Sequence, residues 1–170
     1  MSRFEFHMAM SAATNESIYR DPVTHQLTDS LHNGLMALHK AYKDGYEGND
    51  LSHAQEAMTQ MLLAVRGSRI KRDGKPDHIY RSAAADAIIG NNVWGSIVGD
   101  KVTPARIVWQ LGVWKSELAG IQSGVLTRET APHMPQMKAA LKDVLDSLQG
   151  SCQSARNRRW DEAHPGAKRW

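Results

Sequence analysis

The sequence predicts an all-α fold, a compact bundle of about five amphipathic helices with a basic loop and a basic C-terminal tail. Three observations carry this. Ala, Leu and Met outnumber Val and Ile 41 to 17, and the first set loses less rotamer freedom in a helix than β-branched residues do. Aromatic residues are only 6% of the chain. The apolar residues recur at three- and four-residue steps, the period of one helix face. At 170 residues and 41% apolar composition the chain is long enough to build a real core.

Taken in order, residues 1–24 carry no clear period and form a segment of uncertain structure. The run Glu5-Phe6-His7-Met8 reads as translated cloning sites ahead of Met8 or Met10, so no function is assigned to residues 1–9. A helical domain over 25–150 follows. Its first helix runs from about Leu27 to Lys43 on the stripe Leu31, Leu35, Leu38 and Tyr42, with Thr24 or Thr28 as cap and Gly45 as its end. A short linker leads to a second helix from about Leu51 to Arg66, with Leu51, Ala54, Met58, Met61 or Leu62, and Val65 on one face. These two predict an antiparallel hairpin.

The stretch 68–80 reads as a basic loop or small hairpin turning at Asp73-Gly74, with Pro76 weighing against a regular strand. A short Ala-rich helix over Ser82–Ile89 stops at Gly90, and 91–101 fits either a buried turn or a short strand. Thr103-Pro104 opens a further helix, because Thr caps well and Pro is best tolerated at the first helical position. The last helix spans Gln136–Gln149 and ends at Gly150, leaving a basic Trp-containing tail at 151–170.

Charge is distributed unevenly. Residues 66–81 contain Arg66, Arg69, Lys71, Arg72, Lys75 and Arg81 against Asp73 and Asp77. Residues 154–170 contain Arg156, Arg158, Arg159, Lys168 and Arg169 against Asp161 and Glu162, with Trp160 and Trp170 interleaved. Local basicity on a weakly charged chain is the arrangement expected where part of a surface meets an anion. Arg and Lys on such segments contact phosphates without sequence preference, and an indole stacks on an unpaired base.

Residues 104–122 admit two readings. Ile107, Leu111, Trp114, Leu118 and Ile121 step four-three-four-three, the stripe of one continuous helix. With Gly112 placed in a turn, the string Gln110-Leu111-Gly112-Val113-Trp114-Lys115-Ser116-Glu117-Leu118 resembles the turn and second helix of a bacterial repressor helix-turn-helix. That resemblance implies DNA contacts from Lys115, Ser116 and Gln122. Val108, where such motifs carry a small residue, and Gly120, inside the second helix, depart from the pattern.

The function expected from these features is non-enzymatic binding of DNA or RNA through the phosphate backbone. The alternative is a helical adaptor or inhibitor that occupies a partner protein, anchored by Trp109, Trp114, Trp160, Trp170, Met58 and Met61. Self-association stands open beside both.

No paired carboxylates, nucleophile elbow or cofactor motif is read, and Gly67–Lys75 fails the phosphate-loop pattern by having six residues between its glycines. His25, His32 and His39 repeat every seven residues, about 10.5 Å apart on a helix, too far for one metal site. A single cysteine, Cys152, forms no internal disulfide, and the uncharged stretch 87–99 is too short and polar to cross a bilayer. A reducing, cytoplasmic compartment is the expectation.

Overall fold

The computed structural model describes residues 2–67, 71–72, 75–76, 82–167 and 169. It is all-α in class, with seven helices among the described residues: α1 (Arg3–Arg20), α2 (Pro22–Asp44), α3 (Ser52–Gly67), α4 (Ala83–Ile89), α5 (Trp94–Val98), α6 (Pro104–Gln122) and α7 (Met134–Ala163). Between α3 and α4 lies a minimal antiparallel ladder of β1 (Lys71–Arg72) and β2 (Lys75–Pro76), in the register Lys71↔Pro76 and Arg72↔Lys75. No helix among the described residues is long and apolar enough to cross a membrane.

The helix count exceeds five for two reasons. The segment before residue 24 is helical, and a single turn, α5, occupies part of 91–101. α1 is set by its ends: Ser2 Oγ accepts from the Glu5 N–H and Glu5 Oε2 accepts from the Ser2 N–H, a reciprocal capping box. Ile18 is its only buried residue, so no apolar stripe announces it.

The next helix starts at Pro22, earlier than the periodicity indicates, and its cap is Asp21 rather than Thr24 or Thr28. Asp21 Oδ1 accepts from the Val23 N–H at 3.0 Å. Thr24 is instead buried and donates its hydroxyl to the Ile18 carbonyl at 2.6 Å, locking the α1–α2 elbow.

Helix packing runs in a simple order. α2 packs on α3 and on α7, α3 packs on α6, and α7 packs on α1, so α6 and α1 are the outer members. α4 rests on α3, α1 and α7, and α5 rests on α6. The α2 face that meets the core is Leu27, Leu31, Gly34, Leu38 and Ala41, with Leu35 half-buried and Tyr42 exposed. Gly34 has a packing reason. A Cβ there would lie 2.6 Å from the Ala57 Cβ, so the missing side chain is what lets α2 and α3 close on each other. Gly45 ends α2 in the left-handed region (φ 86°), as the sequence indicates, and the following Tyr46 shares that conformation at φ 79°. The buried Tyr46 hydroxyl holds it there by donating to the Ala131 carbonyl at 3.2 Å.

Two boundaries differ from expectation. α6 is one uninterrupted helix through Leu111-Gly112-Val113, so the helix-turn-helix is excluded. Its stripe Ile107, Leu111, Trp114, Leu118 and Ile121 is buried along the full length, and a turn at Gly112 would split this face in two. α7 runs 30 residues, straight through Gly150. Leu148, Cys152 and Ala155 continue its buried stripe. This packing offsets the cost of a mid-helix glycine, about 1 kcal/mol. Residues 151–163 are therefore helix, not tail.

Candidate functional site

Arg66 is exposed in the last turn of α3. Lys71, Arg72 and Lys75 lie on the paired strands, while Arg69 and Arg81 fall outside the described residues. Asp21 Oδ2 accepts from the Ala84 N–H at 2.9 Å. This bond places the start of α4 at the α1–α2 elbow.

The arginines at the end of α7 reach the neighbouring turn of α1. The Arg156 and Arg159 guanidinium carbons lie 5.6 and 4.5 Å from the Tyr19 ring centroid. Much of this positive charge is, however, matched by the chain's own carboxylates. Arg159 donates through Nη2 and Nε to Glu16 Oε1, which Arg20 also reaches at 2.8 Å. Arg159 first and Arg20 second hold the Glu16 carboxyl below its ordinary range. Arg158 pairs with Glu162 at 3.2 Å and Arg169 with Asp161 at 3.1 Å. Trp160 is half-buried and stacks on His164, with centroids 4.4 Å apart. Lys168 and Trp170 lie outside the described residues.

The residues assigned to a recognition helix do not form one. Lys115 and Ser116 are exposed on α6. Gln122 Oε1 accepts from the Leu51 N–H at 2.9 Å and from Gln55 Nε2 at 3.0 Å, so this side chain ties the end of α6 to the start of α3.

Among the proposed protein anchors, Trp114, Met58 and Met61 are core residues, and burial removes them from any surface. His39 and His53 line one cleft between α2 and α3 together with Asp50. Among the described residues no three His, Cys, Asp or Glu side chains gather to hold a metal ion.

Trp109 is different: it lies on the outer face of α6 and is 67% exposed. α6 carries only three charged residues in 19, Arg106, Lys115 and Glu117. Glu117 is largely buried, with Oε1 2.9 Å from His133 Nδ1. Of its exposed residues, Ala105, Trp109, Val113, Ser116 and Ala119 are uncharged and only Arg106 and Lys115 carry charge. A helix so poor in charge is normally covered on more of its surface, yet α6 is an outer member of the bundle. Beside Trp109, α5 and α6 enclose a groove of about 430 Å³ lined by Ile97, Val98, Ala105, Arg106, Trp109 and Gln110.

Gly112 faces this same exterior. A Cβ built there meets no heavy atom within 4 Å, whereas at Gly120 it would strike the Leu126 side chain at 2.6 Å. Periodicity singled out the buried stripe of α6. The signal for the outer face was the scarcity of charge between Pro104 and Gln122.

No protein-family model, curated protein or solved structure matches this chain.

Proposed function

We propose that this chain is a helical protein–protein interaction module, a binding protein rather than an enzyme, which receives a partner protein on the face formed by α5 and α6. The observation that carries the reading is Trp109, two-thirds exposed at the rim of a mostly apolar groove whose one charged wall is Arg106. Tryptophan is enriched among the few interface residues that carry most of the binding energy. Covering the indole would contribute on the order of 3 kcal/mol from apolar burial.

The test is affinity capture on the immobilised chain at high salt, where surface charge pairs are screened and apolar contacts persist. A stoichiometric protein partner retained by the native chain should be lost from Trp109→Asp. Equal retention by both would remove this face from consideration.

A second reading, DNA or RNA binding, is favoured by one observation: Arg156 and Arg159 at the end of α7 gather on Tyr19 beside the α1–α2 elbow. Exposed ion pairs such as Arg158–Glu162 contribute about 0–1 kcal/mol, so phosphates could displace their carboxylates at little cost. On this reading, affinity for labelled single-stranded DNA or RNA falls steeply with salt. Replacing Arg156, Arg158 and Arg159 together with Ala then reduces the log–log salt slope by roughly one per lost phosphate contact. Absence of binding at low salt ends it.

A further inference from the structure

Resting on the proposed role of the α5–α6 face, we infer that its occupant is an acid-flanked amphipathic helix of another protein, seated by an apolar anchor in the groove and a carboxylate on Arg106. Shape gives the first part. The groove of about 430 Å³ has room for one or two large side chains. A standard globular interface needs about 800 Å² from each partner, more than one helix face and one turn supply. The 19 residues of α6 extend ~28 Å, the length of a five-turn helix laid alongside. An apolar groove flanked by a helix is the receptor half of helix-in-groove recognition. Gly112, open to the exterior above its Cα, lets a second backbone approach closely.

Charge gives the second part. Arg106 is itself a wall of the groove, is exposed, and makes no ion pair with any carboxylate among the described residues. Lys101, in the α5–α6 connector, offsets the neighbouring carboxylate of Asp100, so the charge of Arg106 is left uncompensated there. An incoming segment with carboxylates beside its apolar anchor satisfies Arg106, and the hydrogen bond formed is charge-assisted.

The same charge disfavours a second copy of this chain. A two-fold pairing that seats each Trp109 in the other's groove brings residues 105–109 of the two α6 helices together. It opposes Arg106 to Arg106 as contact excludes water, and like charges so placed are repulsive.

The probe is a phage-displayed library of amphipathic helices of about 18 residues, matched to α6. Apolar residues are fixed at i, i+3, i+4 and i+7, and the flanking positions vary among Glu, Lys and Gln. Selection against the full chain should enrich Glu beside the anchor. By fluorescence anisotropy, Arg106→Glu should weaken the best Glu-flanked peptide by roughly tenfold, and Lys in place of that Glu should restore binding. Trp109→Ala should weaken every selected peptide at least ~30-fold. Both side chains are exposed, and circular dichroism checks that the variants fold.

The two ideas fail separately. Selected helices that depend on Trp109 but carry Lys or Gln as often as Glu overturn the acidic partner and leave the surface standing. Failure to enrich any helix over the Trp109→Ala background overturns both. A dimer seen by light scattering, and lost in Trp109→Ala, makes a second copy the occupant and overturns the inference.

Discussion

Trp114→Ala should cost about 3–5 kcal/mol of folding stability, while Trp109→Ala, on the same helix, should change it by no more than about 0.5 kcal/mol. The two residues share an element and a side-chain type but not a face. Trp114 is 1% exposed and stacks on the fully buried Trp94, with centroids 6.1 Å apart. Trp94 in turn donates its indole N–H to the Ile88 carbonyl at 2.7 Å, tying α5 to the end of α4. Truncation at 114 therefore opens a cavity where α3, α5 and α6 meet. Loss of 3–5 kcal/mol is a large part of the 5–15 kcal/mol that holds a typical domain.

Trp114→Phe separates packing from polarity. The Trp114 indole nitrogen is buried with no hydrogen-bond partner among the described residues. Phe keeps an aromatic ring beside Trp94 and removes the unsatisfied donor, so its cost should be well below that of Ala. Urea denaturation midpoints at constant m-value measure all three variants. Equal losses at 109 and 114 would contradict the orientation of α6, and with it both the surface reading and the exclusion of a turn at Gly112.

How much the sequence told follows from what periodicity measures. It reports the side of a helix that faces the core, so the buried stripe of α6 and its Thr103-Pro104 start were readable residue by residue. It is silent about α1, where one buried residue in 18 leaves no stripe. It also misplaced the end of α7, because Gly150 looked like a stop while Cys152 and Ala155 sat beyond it with too few neighbours to extend the pattern.

Ion pairing within the basic segments is hidden from the sequence for a related reason. The Arg158–Glu162 pair has helical i, i+4 spacing and was legible once 151–163 is helix. Arg159 meets Glu16 across 143 residues, a contact that only the packing of α1 on α7 creates. Part of the positive charge of 154–170 is therefore paired within the chain, through Arg158, Arg159 and Arg169. The outer face of α6 was hidden in a different way: uncharged residues outside a helix look the same in sequence as residues inside it.

Asp21 is where that kind of long-range contact should be most visible in stability. Asp21→Ala is expected to cost about 2–4 kcal/mol, the sum of two separable effects. One is local: Asp21 Oδ1 caps α2 through the Val23 N–H, and loss of such a cap typically costs ~1 kcal/mol. The other spans 63 residues: Asp21 Oδ2 accepts from the Ala84 N–H in a buried setting, and an orphaned buried donor costs about 1–3 kcal/mol.

Asp21→Ser keeps the first effect and removes the second, because Ser caps a helix well but is too short to reach α4. Its denaturation midpoint should fall between those of the native chain and Asp21→Ala. Amide hydrogen exchange distinguishes the two effects spatially: in Asp21→Ser, protection should fall in α4 while the first turn of α2 keeps its own. Identical midpoints for the native chain and Asp21→Ser would mean that the bond to Ala84 contributes nothing. The elbow and the start of α4 would then be held together by apolar packing alone.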